Sequence, residues 1–229
     1  IALGINELPL MVAHSFLNAG AHMLVVDVAH GHSKRVGGVV ESLRGLIDKN
    51  GYKCTLVAGN VATGDGARFL ADAGADIIKV GIGPGAACTT RVQTGVGVPQ
   101  LSAVMECSDA MFGYLDVQVI ADGGIKTPGD IAKALAAGAD AVMVGGMLAR
   151  CVEAPGLVKE VDGVRLKQYR GMASAAAGSR YVEGAEGWVP CDTDVGSVMT
   201  SISNGLQSAM SYVGARKLDE FKENAQFVP

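Results

Sequence analysis

The sequence predicts an α/β fold of the (β/α)8 barrel class, with six of the eight strands visible in its 229 residues. Three observations predict it: a short repeat that ends a helix and leads into a strand, apolar strands that alternate with helical segments, and polar or glycine-rich residues after nearly every strand. Strands this apolar imply a parallel sheet covered by helices. Functional residues after most strands are typical of a barrel's active-site face, whereas a doubly wound sheet, the alternative, gathers them at one switch point.

The repeat reads Ala-Gly-Ala-His at 19–22 and Ala-Gly-Ala-Asp at 73–76 and 137–140. Its copies are about two strand-helix units apart, as a βα repeat requires. The apolar runs between them predict strands at 2–5, 23–28, 54–60, 77–82, 117–122 and 141–146. Helical apolar spacing predicts helices that include 8–19, 65–73, 101–113 and 128–137.

The pattern changes after residue 150. Residues 158–165 predict a small hairpin around Asp162-Gly163, and 171–190 predict a loop of small residues. Two helices are then expected, near 194–211 and at 216–224.

Composition excludes several classes of function. The net charge is −4 and Lys and Arg are not clustered, so a nucleic-acid partner is not expected. No apolar run reaches the length of a membrane span, and no signal peptide is visible. Five cysteines without metal-like spacing predict free thiols in a reducing compartment such as the cytoplasm.

A glycine-rich loop ending on a cysteine is the most informative segment. Residues 79–91 run from an apolar strand through Gly83-Pro84-Gly85 to Cys88-Thr89-Thr90-Arg91. The glycines let the backbone turn tightly and approach a ligand, and a thiol presented in this way can act as a covalent nucleophile. Glycine loops at Asp122-Gly123-Gly124 and Gly145-Gly146 follow the last two predicted strands, where barrels commonly bind phosphate.

These segments resemble the IMP dehydrogenase/GMP reductase family. The matching runs occur in the family's order, at 27–33, 58–63, 79–91, 94–100, 121–125, 143–147 and 169–172. The resemblance implies that 1–229 is a single TIM-barrel catalytic domain, N-terminally incomplete because family members carry two earlier strands. It also implies an active-site flap at 151–192, a homotetramer, and a regulatory module upstream or inserted outside this sequence.

The resemblance assigns roles to individual residues. Cys88 is the nucleophile at purine C2, and Thr90 and Glu183 move protons there. The substrate-binding residues implied are Asn60, Asp122, Gly124, Gly145, Gly146, Tyr169, Gly171 and Met172. Asp27 and Gly81 are implied for the dinucleotide cofactor, and the carbonyls of Gly83, Gly85 and Cys88 for K+. Ala86 stands where the family usually has a phosphate-binding serine, so one hydrogen bond, about 1.5–3 kcal/mol, is expected to be missing.

Two family reactions fit. Reductase-like runs at 101–107, 145–149 and 212–215 favour NADPH-dependent conversion of GMP to IMP and ammonia. Arg180-Tyr181 resembles the water-activating pair of IMP dehydrogenase, which oxidises IMP to XMP with NAD, although it lies only two positions before Glu183. Helix 101–113 adjoins the cysteine loop, so the reductase is the preferred prediction and the dehydrogenase the alternative.

Two other classes are less favoured. Flavin-dependent 2-hydroxy-acid oxidases share the phosphate loops but need a histidine in the late strands, and all four histidines precede residue 33. A nucleotide-sensing barrel without turnover would be supported by Ala86 and the short flap, but Cys88, Thr90 and Glu183 argue against it.

Overall fold

The computed structural model describes residues 1–6, 8–171, 173–174 and 184–228, and it divides into two compact units. The first unit contains Ile1–Ile82, Val98–Ala121 and Gly138–Ala141. The second contains the described residues of Gly83–Gly97, Asp122–Ala137 and Val142–Pro229.

A six-stranded sheet carries the strands in the order β1-β2-β3-β4-β5-β6, and the pairs from β1 to β5 are parallel. Its strands are β1 (Ala2–Leu3), β2 (Met23–Asp27), β3 (Thr55–Val61), β4 (Ile77–Val80), β5 (Gln118–Asp122) and β6 (Ala141–Met143). All six coincide with predicted strands. All four residues of β4 are buried, as expected for a strand covered on both faces.

The repeat acts at the junction of helix and strand. Gly20, Gly74 and Gly138 all have positive φ angles, of 89°, 99° and 106°, which glycine adopts without strain where a helix turns into the next strand. The aspartates of the later copies then accept backbone N–H groups, Asp76 from Leu56 at 2.7 Å and Asp140 from Val119 at 2.8 Å. The repeat therefore orients each new strand against its neighbour.

Helices of the first unit pack apolar faces against the sheet. They are α1 (Pro9–Asn18), α2 (Lys34–Asn50), α3 (Gly64–Asp72) and α5 (Gln100–Ala110). In α2 the buried residues Val36, Val40, Leu43 and Ile47 recur at helical spacing. The Ser33 side chain accepts from Val36 N at its start, and Gly51, with a φ of 65°, ends it.

The second unit holds the remaining helices, which are α4 (Thr90–Thr94), α6 (Pro128–Ala136), α7 (Gly146–Ala149), α8 (Val195–Tyr212) and α9 (Leu218–Asn224). Ile131, Leu135 and Phe221 form the core where α6, α8 and α9 pack. A capping box of Thr127 and Asp130 begins α6. Burial raises the pKa of Asp130, but hydrogen bonds from the Thr127 side chain and from backbone N–H groups outweigh it and hold that pKa below its usual value.

The second unit also contains a three-stranded antiparallel sheet. Its strands are β7 (Val158–Val161), β8 (Val164–Arg170) and β9 (Glu186–Pro190). The predicted hairpin is confirmed, with Asp162 and Gly163 at positive φ angles of 51° and 77°, as a type I′ turn requires. The prediction of a loop throughout 171–190 is wrong at its end, because 186–190 gains strand structure by pairing with β8.

Lys167 of β8 is a buried cation, with 1% of its surface exposed. Its ammonium donates to the carbonyl oxygens of Cys151 at 2.5 Å, Ala154 at 2.6 Å and Val152 at 3.1 Å. These bonds satisfy all three N–H donors of the ammonium, which a buried charge requires. Lys167 thereby fixes β8 to the segment that follows α7.

Among the described residues, none of the helices combines the length and apolarity needed to span a membrane.

Candidate active site

The Cys88 loop connects β4 to α4. Cys88 is half-buried, and its thiol donates to Thr90 Oγ1 at 3.2 Å, so the predicted nucleophile and its neighbouring hydroxyl are in contact. The backbone N–H of Cys88 donates to Gly85 O at 2.9 Å, which closes a tight turn. Gly83 has a φ of 83°, and a Cβ there would lie 2.5 Å from Arg91 Cγ. Glycine is therefore needed for the turn and for the close approach.

A cavity of about 110 Å³ lies beside this loop in the second unit. It is lined by Gly85, Ala86, Asp122, Gly123, Gly124, Ile125, Lys126, Met143, Gly145, Gly146 and Tyr169. Five predicted substrate-binding residues, which are Asp122, Gly124, Gly145, Gly146 and Tyr169, are thus brought together. The Tyr169 hydroxyl lies against Gly145, since a Cβ on that glycine would be 3.2 Å from it.

The Cys88 loop and the Asp122–Gly124 loop touch at Gly123. A Cβ on Gly123 would lie 2.8 Å from the Pro84 side chain and 3.0 Å from Gly85 N. Its φ of 95° is a second reason for glycine. This contact places the thiol-bearing loop and the cavity in one local structure.

Lys126 is a lining residue that sequence reasoning missed. It follows the Asp122–Gly124 loop and is exposed, and its backbone N–H donates to Asp130 Oδ2 at 3.1 Å. Lys126 and Asp122 are the charged residues among those that line the cavity. The one sequence signal for its place in the cavity is its position, four residues after Asp122, the predicted ribose ligand.

A second cavity, of about 570 Å³, shares Ala86, Ile125, Lys126 and Gly146 with the first. It extends to Arg150 and Asp192, whose side chains are joined by two hydrogen bonds of 3.0 and 2.5 Å. Hydrogen bonding to Arg150 lowers the pKa of the Asp192 carboxyl. Lys126 is the charged residue among those that line both cavities.

Gly171 belongs to the same local structure as the cysteine loop. A Cβ on Gly171 would lie 2.9 Å from Ala87 O, and its N–H donates to Ala185 O at 3.0 Å. Ala185 N in turn donates to Ala87 O at 2.7 Å, and Cys88 pairs with Gly184 in an isolated bridge. The predicted residues Met172 and Glu183, and the Arg180-Tyr181 pair, lie outside the described residues.

The remaining predicted residues, Asp27, Asn60 and Gly81, belong to the first unit. Asn60 Nδ2 donates to Gly81 O at 2.7 Å, so these two residues are joined. The Asp27 carboxylate forms an ion pair with Lys79, which the sequence did not suggest; Nζ and Oδ1 are 2.9 Å apart.

The loop that contains Gly83, Gly85 and Cys88 offers backbone carbonyl oxygens, the type of ligand that K+ prefers. One lone pair of Gly85 O is occupied by Cys88 N–H. Among the described residues, no group of three or more His, Cys, Asp or Glu side chains could hold a metal ion.

Comparison with known proteins identifies the family. A sequence model described as the IMP dehydrogenase / GMP reductase domain matches residues 1–229. The chain belongs to this family. The predicted family and its oxidoreductase class are therefore confirmed.

Relatives of both kinds are similar to this chain. It is 47% identical to an inosine-5'-monophosphate dehydrogenase of Aquifex aeolicus, with 99% of this chain and 48% of the relative aligned. It is 42% identical to a GMP reductase of Leishmania donovani, with 99% of this chain and 49% of the relative aligned. The chain thus spans about half the length of these relatives.

A solved structure supports the fold. A GMP reductase variant from Trypanosoma brucei, in complex with guanosine 5'-monophosphate, matches with a TM-score of 0.92 and 42% identity. The match covers 99% of this chain and 48% of that one. The predicted fold class, a (β/α)8 barrel with six strands visible, is confirmed.

Proposed function

We propose that the protein containing this chain is a GMP reductase, which converts GMP to IMP and ammonia at the expense of NADPH. In this proposal the purine mononucleotide occupies the 110 Å³ cavity with its phosphate and ribose, and C2 of the base lies at Cys88. The observation that carries the proposal is the contact at Gly123 between the Cys88 loop and the loop of Asp122 and Gly124. The GMP bound in the trypanosomal relative supports it.

The cavity suits a phosphate monoester. Backbone N–H groups of glycine loops donate hydrogen bonds to anions, and glycines at 124, 145 and 146 let a phosphate approach the backbone closely. Ala86 has no hydroxyl to donate, but Lys126 adds a positive charge to the lining, and charged donors bind phosphate more strongly than neutral ones. The Asp122 carboxylate can accept the ribose hydroxyls.

The proposed chemistry begins at the thiol. The Cys88 thiolate adds to C2 of GMP while a ring nitrogen takes a proton, and ammonia then leaves from C2 with a proton relayed through Thr90 and Glu183. A bound NADPH would supply a hydride to C2. Departure of the Cys88 thiolate from C2 then leaves IMP. The contact between Cys88 Sγ and Thr90 Oγ1, at 3.2 Å, puts the relay hydroxyl next to the reacting sulfur.

The other partners follow from the same proposal. Asp27 and Gly81 contribute to the dinucleotide site, and Asn60, held by Gly81 O, contributes to the substrate pocket. Gly171 and Met172 contact the base. Carbonyl oxygens of the Cys88 loop bind K+, and the protein works as a homotetramer in a reducing compartment.

IMP dehydrogenase is the second candidate, favoured by the 47% identity to the Aquifex enzyme. It would use the same cavity and the same Cys88 adduct, with hydride leaving C2 to NAD and water then releasing XMP. The two reactions differ in what happens at C2 and not in how the nucleotide is held.

The nicotinamide absorbance of mixtures that contain the full-length protein distinguishes the GMP reductase reaction from the IMP dehydrogenase reaction. Loss of NADPH that requires GMP is expected, whereas formation of NADH that requires IMP would establish the dehydrogenase instead. A protein that binds GMP but catalyses neither reaction would overturn the proposal in favour of nucleotide sensing.

A further inference from the structure

Asp27 and Lys79 are paired across a strand that lies between them. In the parallel sheet Asp27 of β2 is in register with Gly59 of β3, and Gly59 is in register with Lys79 of β4. Residues in register on neighbouring strands share a face, and two strand spacings amount to about 10 Å. Even so, Lys79 Nζ lies 2.9 Å from Asp27 Oδ1, so the lysine side chain crosses the intervening strand.

Gly59 makes that crossing possible. A Cβ at this position would lie 2.7 Å from Lys79 Cβ and 2.5 Å from Lys79 O, distances that real Cβ atoms do not adopt. Any side chain at 59 would therefore displace the lysine. The sheet places side by side Asp27, Gly59 and Lys79, and the glycine in the middle has no side chain.

The two partners differ in exposure. The Lys79 side chain is 4% exposed, whereas the Asp27 side chain is 42% exposed. A ligand can thus reach the carboxylate but not the ammonium. A buried lysine is costly unless it is paired, and an ion pair is weak evidence of a role in stability, since apolar residues of similar volume often stabilise a fold equally well. This difference in exposure indicates that the buried Lys79 ammonium orients the exposed Asp27 carboxylate.

We propose that Lys79 is a positioning residue for the dinucleotide: its buried ammonium, reaching across Gly59, holds the Asp27 carboxylate in the orientation that binds the cofactor. The inference rests on the proposed function, in which Asp27 contacts the dinucleotide. Lys79 does not touch a ligand and acts through Asp27.

The test uses steady-state kinetics of the full-length protein, together with calorimetric binding of GMP in the absence of dinucleotide. Lys79→Met should raise KM for the dinucleotide about 10- to 100-fold, the effect of losing a hydrogen bond to a charged group. The Kd for GMP should stay within about twofold. Lys53→Met, which removes an exposed lysine from the same unit, is the matched control and should change neither.

A double-mutant cycle separates positioning from a structural role. If Lys79 acts only through Asp27, Lys79→Met should add less than about twofold to the dinucleotide KM of Asp27→Asn. This comparison sets the double variant against Asp27→Asn, so it does not depend on the folding of Lys79→Met alone.

Two results would overturn the inference while leaving the proposed function intact. One is equal weakening of GMP and dinucleotide by Lys79→Met, and the other is an undiminished effect of Lys79→Met in the Asp27→Asn background. A wild-type protein that turns over neither GMP with NADPH nor IMP with NAD would overturn the proposed function, and this inference with it.

Discussion

Replacing Lys167 by methionine would remove a buried ammonium that donates to three carbonyl oxygens. The bonds to Cys151 O and Ala154 O, at 2.5 and 2.6 Å, are short, and the bond to Val152 O is 3.1 Å. A hydrogen bond to a charged group contributes about 1.5–3 kcal/mol. Cys151 is buried, whereas Val152 is exposed and Ala154 partly so. The Cys151 carbonyl therefore loses a charged donor in a buried place and keeps only the Ala154 N–H, at 3.1 Å, while the other two carbonyls regain water.

We expect Lys167→Met to lower the free energy of unfolding by about 1.5–3 kcal/mol, a large share of the ~5–15 kcal/mol of a typical domain. Lys159→Met is the control: Lys159 is exposed and lies 4.0 Å from the centre of the Trp188 ring, a contact of about 0.5–1 kcal/mol. Urea unfolding of both variants measures the difference. Because Lys167 fixes the strand that bears Tyr169, binding of GMP should weaken as well.

The urea midpoint of Lys167→Met should therefore lie clearly below that of Lys159→Met. Equal urea midpoints for Lys167→Met and Lys159→Met would refute the reasoning, because they would mean that the buried ammonium contributes no more than an exposed one. A midpoint shift in Lys167→Met with unchanged GMP affinity would confine the role of this lysine to stability.

Further predictions concern the cavity and the thiols. Lys126→Met should raise the Kd for GMP about tenfold and leave guanosine unaffected, whereas Lys133→Met, on an exposed face of α6, should change neither; equal effects on GMP and guanosine would count against a phosphate contact. Gly145→Ala should weaken GMP binding severalfold, because its methyl group would lie 3.2 Å from the Tyr169 hydroxyl. An unchanged GMP affinity in calorimetry would contradict this prediction. Iodoacetamide at about pH 8 should label Cys88 before Cys107, since burial raises the pKa of the Cys107 thiol to about 12; peptide mapping that finds Cys107 labelled first would contradict this.

Much of the fold could be predicted because its signals are local. The Ala-Gly-Ala repeat contains the helix end, the left-handed glycine and the aspartate that binds the neighbouring strand, so three residue types reveal a whole βα junction. The glycine loops at 122–124 and 145–146 directly follow strands, and parallel strands bring such loops to one edge. Several residues that line the 110 Å³ cavity could therefore be predicted from the sequence.

The features that were missed depend on contacts distant in sequence. Strand β9 reads Glu-Gly-Trp-Val-Pro, which has no alternation of apolar and polar residues, and it forms by pairing with β8. The Asp27–Lys79 pair depends on the register of three strands and on the absence of a side chain at Gly59. Lys126 becomes part of the cavity only through the turn after Gly124.

Labelled mononucleotide tests the proposed covalent purine adduct on Cys88 most directly. The full-length protein is mixed with radiolabelled GMP and NADPH, and in parallel with labelled IMP and NAD, then quenched in acid during turnover and digested. We expect label on the peptide that contains Cys88 in one of the two mixtures, and no label and no turnover with Cys88→Ala. Turnover that persists in Cys88→Ala, or label on a different cysteine, would contradict it.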